Sequence, residues 1–405
     1  MIQSNACDLG NLQEAKLPRR DWILLPAISL MTICGILASA ECIARRMFTE
    51  SKTGVERCMV FNDPSTGARG LPDSVCWEKK YENEPVEYRF NGSGFRADVE
   101  FGPKPPNTYR IVMVGSSVAM GAEVQREETF SALLPAELSG QTGRRVEIYN
   151  ESMEAWGGTP HNIALRFNQV LLAEPDMVLW ILTPGDIGRV AEVLPSAEFH
   201  PMRSISLPER AWQFTKAAFA TKPPMVAMAD LFGRTRTATL LLHFLYRSQS
   251  LYVKSSLMGD DRDAMRPGAE SSREQQHHLD EFNNYAADIQ ARANVAGVPL
   301  VAVFLPDGQL AALISKGGWP AGYDPYKLDN ELRSIIVNHG GIYLDILPDY
   351  RNIPNPEHGY CPVDGHPNAD GHATIAEMLA KALTNGAVPA LKAVVQPQAA
   401  KEQGR

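Results

Sequence analysis

The sequence has no phosphate-cradling glycine loop, no dinucleotide fingerprint and no His/Cys/Asp group at metal-ligand spacing. Nucleotide and resident-metal chemistry therefore have no local support, and no cofactor is expected. A basic domain is missing too. The 39 Lys and Arg are outnumbered by 47 Asp and Glu, the formal net charge is -8, and no dense cationic stripe is present to hold nucleic acid. No internal repeat is visible. At 405 residues and 44% apolar content, the chain is not a disordered one and has room for a sizeable core.

Charge itself is absent from one long stretch. Trp22 to Ala40 carries none, between Arg19, Arg20 and Asp21 on one side and Glu41 on the other. As a helix this run would span about 28 Å, near the hydrocarbon thickness of a bilayer. It predicts a membrane anchor over 22–43 after a short tail, 1–21. The competing reading is a cleaved signal peptide, because Ala38-Ser39-Ala40 has the small-x-small form of a cleavage site behind a basic Lys16, Arg19 and Arg20. Both send the rest of the chain across a membrane. Flanking charge does not set the orientation, since Arg45, Arg46, Lys52 and Arg57 match the basic residues on the other side.

Cysteine is sparse, and three of the six (Cys7, Cys34, Cys42) lie in or beside the apolar run. Cys58 and Cys76 bracket a loop rich in Pro, Gly and Asp, of the kind a disulfide closes in an oxidising compartment such as a bacterial periplasm; two unpaired thiols is the alternative. Cys361 reads as structural.

The stretch around which the chain is organised is Tyr109 to Gly121. An apolar, β-prone run, Ile111-Val112-Met113-Val114, meets Gly115 and two serines, as a buried strand ending in a tight turn would. A serine there stands at the carboxyl edge of a sheet, where open α/β folds bind ligands. Far away, Pro362-Val363-Asp364-Gly365-His366-Pro367-Asn368 supplies what a serine nucleophile needs: a histidine base and an aspartate to orient it.

Together the two stretches resemble the SGNH (GDSL-type) hydrolase family, whose first block is Gly-Asp-Ser-x-x-x-Gly and whose last is Asp-x-x-His or Asp-x-His followed by Pro-Asn. Here the first block reads Gly115-Ser116-Ser117-Val118-Ala119-Met120-Gly121 and the last Asp364-Gly365-His366-Pro367-Asn368. The resemblance implies a three-layer α/β/α, flavodoxin-like fold with Ser117 as nucleophile, His366 as base and Asp364 as acid. Asn91-Gly92-Ser93-Gly94-Phe95-Arg96 is similar to a segment many relatives carry ahead of their first strand.

The middle blocks depart from the family. For the second, Ser152 stands where a backbone N–H would meet the oxyanion, with Gly157 as its competitor. In the third, Leu182-Thr183-Pro184-Gly185-Asp186 has Gly185 in place of the asparagine whose amide is a further donor. Losing one such donor typically costs about 100 to 1000-fold in rate. Ser116 replaces the aspartate before the nucleophile and leaves two adjacent hydroxyls; spacing to Gly115 and Gly121 selects Ser117. Asp370 and His372 read as a helix cap and a solvated face.

Alternating patterns support the implied fold. Strands are expected at Tyr109–Val114, Arg145–Asn150, Asp176–Leu182, Val298–Leu305 and Gly341–Leu347, giving about five parallel strands covered on both faces. A helix over Glu274 to Ala296 places Leu279, Phe282, Ala286, Ile289 and Ala293 on one face and stops at Gly297; a second covers Ala369 to Leu383. The catalytic domain is then 107–385, behind an irregular membrane-proximal extension, 44–106. A helical insertion at about 187–273 contains amphipathic pieces at Ala211–Ala220 and Thr237–Tyr252, and 386–405 reads as a disordered tail. His243, among leucines, reads as a core residue.

The functional expectation is an outward-facing, membrane-anchored serine esterase of acyl esters, with glycan or lipid as the alcohol part and no nucleic-acid partner. Its rivals are an O-acyltransferase acting on an envelope polysaccharide and a non-catalytic binding or assembly protein on the same scaffold.

Overall fold

The computed structural model describes residues 20–47, 49, 54–63, 66–80, 83–97, 100–187, 235–257, 273–319, 321 and 323–394. The chain divides into two units, 1–48 with 222–240, and 49–221 with 241–405.

In the first unit, α1 (Asp21–Met47) is long and apolar enough to cross a membrane, with a mean hydropathy of 2.1 over its most apolar window and none of that window buried. It outruns the charge-free stretch by continuing through Glu41, whose carboxylate accepts the backbone N–H groups of Arg236 (3.1 Å) and Thr237 (3.0 Å). Those N–H groups open a helix and have no partner within it, so the carboxylate supplies one.

The second unit begins with two antiparallel hairpins, β1 (Met59–Asp63) with β2 (Gly67–Gly70), and β3 (Val75–Glu78) with β4 (Val86–Arg89). The irregular extension read from composition is thus locally a pair of short ribbons. A Cys58–Cys76 disulfide ties the start of the first to the second. Short strands and turn-rich flanks hide such ribbons from pattern reading, because a four-residue strand offers only two alternations.

The larger sheet follows: β5 (Thr108–Val114), α2 (Ser117–Met120), α3 (Phe130–Thr142), β6 (Arg145–Asn150), α4 (Pro160–Leu172), β7 (Met177–Leu182) and α5 (Pro184–Ile187). After them come α6 (Arg236–Tyr246), α7 (Gln249–Leu257), α8 (Arg273–Ala296), β8 (Leu300–Phe304), α9 (Gly308–Lys316), α10 (Lys327–Asn338), β9 (Ile342–Leu344) and α11 (Ala369–Ala382).

All five strands are parallel, in the order β6-β5-β7-β8-β9. Counted along the sheet's own strands this is 2-1-3-4-5, the flavodoxin-like order, so the expected fold is the observed one. Ile111 faces Ile148 on one side and Met177 on the other. The apolar runs are continuous rather than alternating because both faces are covered, and every residue of β5, β7 and β8 is buried. α3 packs on α11, and α4 on α8, which also meets α10. The expected face of α8 is buried, with Phe282 against Trp180 at 5.3 Å, and Gly297 ends the helix at φ +71°.

The last strand is shorter than expected because Leu347 and Pro348 open a 3-10 turn. The expected helix over Thr237–Tyr252 is broken between α6 and α7 at Arg247 and Ser248. Residues 188–234 and 258–272, including Ala211–Ala220, lie outside the described residues. The expected tail begins with packed structure: Val388 and Leu391 are buried, and a 3-10 turn spans Pro389–Leu391, so apolar burial holds the chain as far as Leu391.

Candidate active site

β5 and β7 are neighbours where the strand order reverses, which is where open α/β sheets bind ligands. Ser117 stands at the first position of α2, directly beyond β5, and Gly185 lies in the corresponding segment beyond β7. Close packing forces the turn that carries Ser117. A Cβ on Gly158 would stand 2.2 Å from Ser116 Cα, so the segment after β6 presses against the turn with no room for a side chain. The Asn150 amide completes the brace by donating to Ala119 O at 2.8 Å.

The other two groups come from one loop. Cys361 N–H donates to His366 O and Gly365 N–H to Cys361 O, closing a tight turn between them. Gly365 sits at φ +85°, a conformation that costs glycine little, and so folds Asp364 back on His366. His366 Nδ1 and Asp364 Oδ1 are hydrogen-bonded, and His366 Nε2 lies 2.7 Å from Ser117 Oγ. A carboxylate only accepts, so Nδ1 carries the proton and Nε2 is left to accept from the Ser117 hydroxyl. The structure therefore brings Ser117, His366 and Asp364 together, and the bond goes to Ser117 rather than Ser116.

Electrostatics favour the charged pair. Burial raises the Asp364 carboxyl, but the hydrogen bond and charge of His366, with Lys80, outweigh it and hold the group below the ordinary carboxylate value. Burial lowers the His366 imidazole; Asp364 outweighs that and leaves it more basic than usual. A cavity of about 250 Å³ opens over these three residues, lined by Ser117, Val118, Thr159, Gly185, Tyr360 and His366 among others.

The expected oxyanion donors are not at this cavity. Ser152 is fully buried, its N–H donates to Asn150 Oδ1 at 3.0 Å, and it does not line the cavity wall. Gly157 N–H donates to Glu154 O at 3.2 Å, and its carbonyl accepts from Arg166. Both positions serve the fold, which is a correction to the reading of the second block. Gly185 does line the cavity and brings no side-chain donor.

His372 is a further correction. Far from solvated, it is fully buried on α11, accepts the Phe130 N–H at 3.1 Å and stacks on the Phe130 ring. Asn368, not Asp370, caps that helix, by accepting Gly371 N–H at 3.0 Å; Asp370 is exposed. Burial, then the charges of Arg96 and His366, push the His372 imidazole down to about 3. The unfolded chain would bind this proton below about pH 6.5 while the fold refuses it, so stability falls as pH drops from about 6.5 towards 3. His372→Asn, which keeps an acceptor but does not titrate, is expected to flatten that slope by up to about 1.4 kcal/mol per pH unit. Urea unfolding at stepped pH measures it, and equal slopes in the two proteins would contradict it.

Sequence reading also missed Arg96 and Lys80 as parts of the site. Arg96 is buried and donates to the carbonyls of Gly121, Val124 (2.7 Å) and Glu87 (3.0 Å), so the extension clamps the chain just beyond Ser117. The Asn91-to-Arg96 segment was its one visible signal. Lys80 gave none.

No protein-family model and no curated protein matches the sequence. Solved structures to which the chain is similar include an alpha/beta hydrolase enzyme from the metagenome of Lake Arreo, Spain, at 15% identity, with 68% of this chain and 94% of that chain covered and a TM-score of 0.37. An acetylxylan esterase from Geobacillus stearothermophilus is similar at 10% identity, over 68% and 94% of the two chains, with a TM-score of 0.36. A lipase/acylhydrolase from Enterococcus faecalis is similar at 10% identity, over 68% and 95%, with a TM-score of 0.33. Such remote likenesses assign no residue a role; the roles come from the geometry above.

Proposed function

We propose that this chain is an SGNH-type serine esterase that cleaves acyl esters at the outer face of a membrane. The observation that carries the reading is the continuous relay from Ser117 Oγ to His366 Nε2, 2.7 Å apart, and from His366 Nδ1 to Asp364. Ser117 Oγ attacks the ester carbonyl carbon as His366 Nε2 takes its proton. The oxyanion is held by the Ser117 N–H, which as the first of a helical turn has no partner within that turn. Collapse expels the alcohol, which takes the proton back from His366. Water then enters by the same base and releases the acid.

The location is supported by α1 and by the Cys58–Cys76 disulfide, which persists in oxidising compartments. With no side-chain amide in place of Gly185, turnover is expected to be slow for this class.

The test is acid release from short-chain acyl esters by the full chain in detergent micelles, with Ser117→Ala as control. Release by the wild type alone supports the reading. Acyl transfer to an added glycan in excess of release would reassign the chain as an acyltransferase, and no turnover of any ester would point to a binding role. Asp364→Asn is expected to lower kcat about 10⁴-fold, because the amide can donate to Nδ1 and favour the wrong tautomer. A loss under tenfold would contradict the assigned acid.

A further inference from the structure

Four carboxylates converge on one ammonium behind the catalytic acid. Lys80 Nζ lies 2.9 Å from Glu123 Oε1, 3.6 Å from Glu78 Oε2 and 3.8 Å from both Glu154 Oε1 and Asp364 Oδ2. They come from separate parts of the chain. Glu78 ends β3, Glu123 follows the nucleophile's helical turn, Glu154 follows β6, and Asp364 belongs to the last loop.

Packing alone gives no reason for this arrangement, since gathering buried like charges is costly. The backbone also gives up something to build it. Glu123 is held at φ +70°, a left-handed conformation that residues with a Cβ avoid, and its N–H donates to the Tyr88 hydroxyl at 3.0 Å. The cluster touches the triad at one atom, because Asp364 gives Oδ1 to His366 and turns Oδ2 towards Lys80.

We propose that Lys80 is a positioning residue of the catalytic site: its ammonium holds Asp364 Oδ2 so that Oδ1 stays aimed at His366, and its charge offsets the carboxylates gathered beside that pair. The β3–β4 hairpin, tied to the chain before β1 by the Cys58–Cys76 disulfide, then belongs to the catalytic apparatus rather than only to the membrane-proximal stalk. This role rests on Ser117, His366 and Asp364 acting as a triad.

The signs agree. Burial works to discharge Lys80, but Glu123, Asp364, Glu154 and Glu78 override it and keep the ammonium charged. Burial pushes the Glu154 carboxyl up to about 7, against the pull of Lys80 and with Glu78, Glu56 and His366 as its other charged neighbours. At His366, burial lowers the imidazole, Asp364 raises it, Lys80 lowers it and Glu123 raises it. The Cys361 thiol accepts from Asn83 beside the cluster, and the buried His372 feels the charge of His366 from α11. Removing Lys80 therefore leaves His366 among carboxylates and makes it more basic, so the neutral base appears only at higher pH.

The test uses the full chain in detergent micelles. The rate of fluorophosphonate labelling at Ser117 is followed from about pH 5 to 9 for wild type, Lys80→Met, Lys80→Arg, Glu123→Gln and Lys80→Met/Glu123→Gln. The pH midpoint of His366 carbethoxylation is read in parallel by peptide mass. Lys80→Met is expected to move both acid limbs up by about half a unit or more. Lys80→Arg keeps them in place. The double variant, which removes one charge of each sign, draws them back towards wild type, and Glu123→Gln alone, which keeps Lys80 and removes a carboxylate that raises His366, moves them down and so tests the idea even if Lys80→Met fails to fold. A labelled wild type whose midpoints stay put in Lys80→Met, with the rate lowered evenly across pH, would overturn the role of Lys80 and leave a structural one. No labelling of the wild type would overturn the triad itself, and the catalytic role of Lys80 with it.

Discussion

Replacing Ser117 or His366 by alanine is expected to lower kcat by about 10⁴ to 10⁶-fold and to leave the fold intact, with the double replacement falling little further than either alone. In the proposed mechanism the two residues act as one unit: without the base the hydroxyl is a poor nucleophile, and without the hydroxyl the base has nothing to activate. Neither holds the fold together, since both border the solvent-open cavity. Additive losses would mean that the two side chains act separately, contrary to the 2.7 Å bond between them. Initial rates on a short-chain ester, with unfolding midpoints as the folding control, decide between these outcomes.

Arg96→Met is expected to cost about 3 kcal/mol or more of stability, a large effect for a residue outside the sheet. Arg96 is 4% exposed, and its guanidinium spreads its donors over the carbonyls of Gly121, Val124 and Glu87 while lying 4.3 Å from the centre of the Tyr88 ring. Methionine fills much of the volume but leaves those carbonyls without their donor. Arg96→Lys should recover only part of the loss, because one ammonium cannot span acceptors on both the hairpin and the loop after α2. Urea unfolding gives the number. A change below about 1 kcal/mol in Arg96→Met would show that water replaces the clamp and that the extension is only loosely coupled to the nucleophile turn.

What could be read in the sequence was what repeats or what chemistry demands. Buried parallel strands must be continuous apolar runs, so Ile111 to Val114 and Met177 to Leu182 declared themselves, and their alternation with helices implied a parallel sheet, while the strand order came only with the structure. A serine nucleophile needs a base and the base an acid partner, which made Asp364 and His366, two residues apart, visible as a pair. Elements that depend on a single contact across the fold stayed hidden. Ser152 and Gly157 looked like oxyanion donors because their residue types allow it, but Asn150 Oδ1 and Glu154 O already hold their N–H groups. His372 looked solvated because a helix following a cap begins polar; the Phe130 N–H, distant in sequence, makes it a core acceptor. Lys80 stayed hidden because, beside its neighbour Glu78, its importance comes from three carboxylates supplied by distant segments, Glu123, Glu154 and Asp364.

The most direct measurement is fluorophosphonate labelling of the full chain, followed by intact mass and peptide mapping of wild type, Ser116→Ala, Ser117→Ala and His366→Ala. A single adduct on Ser117 that survives Ser116→Ala and vanishes in both Ser117→Ala and His366→Ala is the expected result. A folded wild type that takes no label, or that takes it on Ser116, would contradict the triad and the esterase reading built on it.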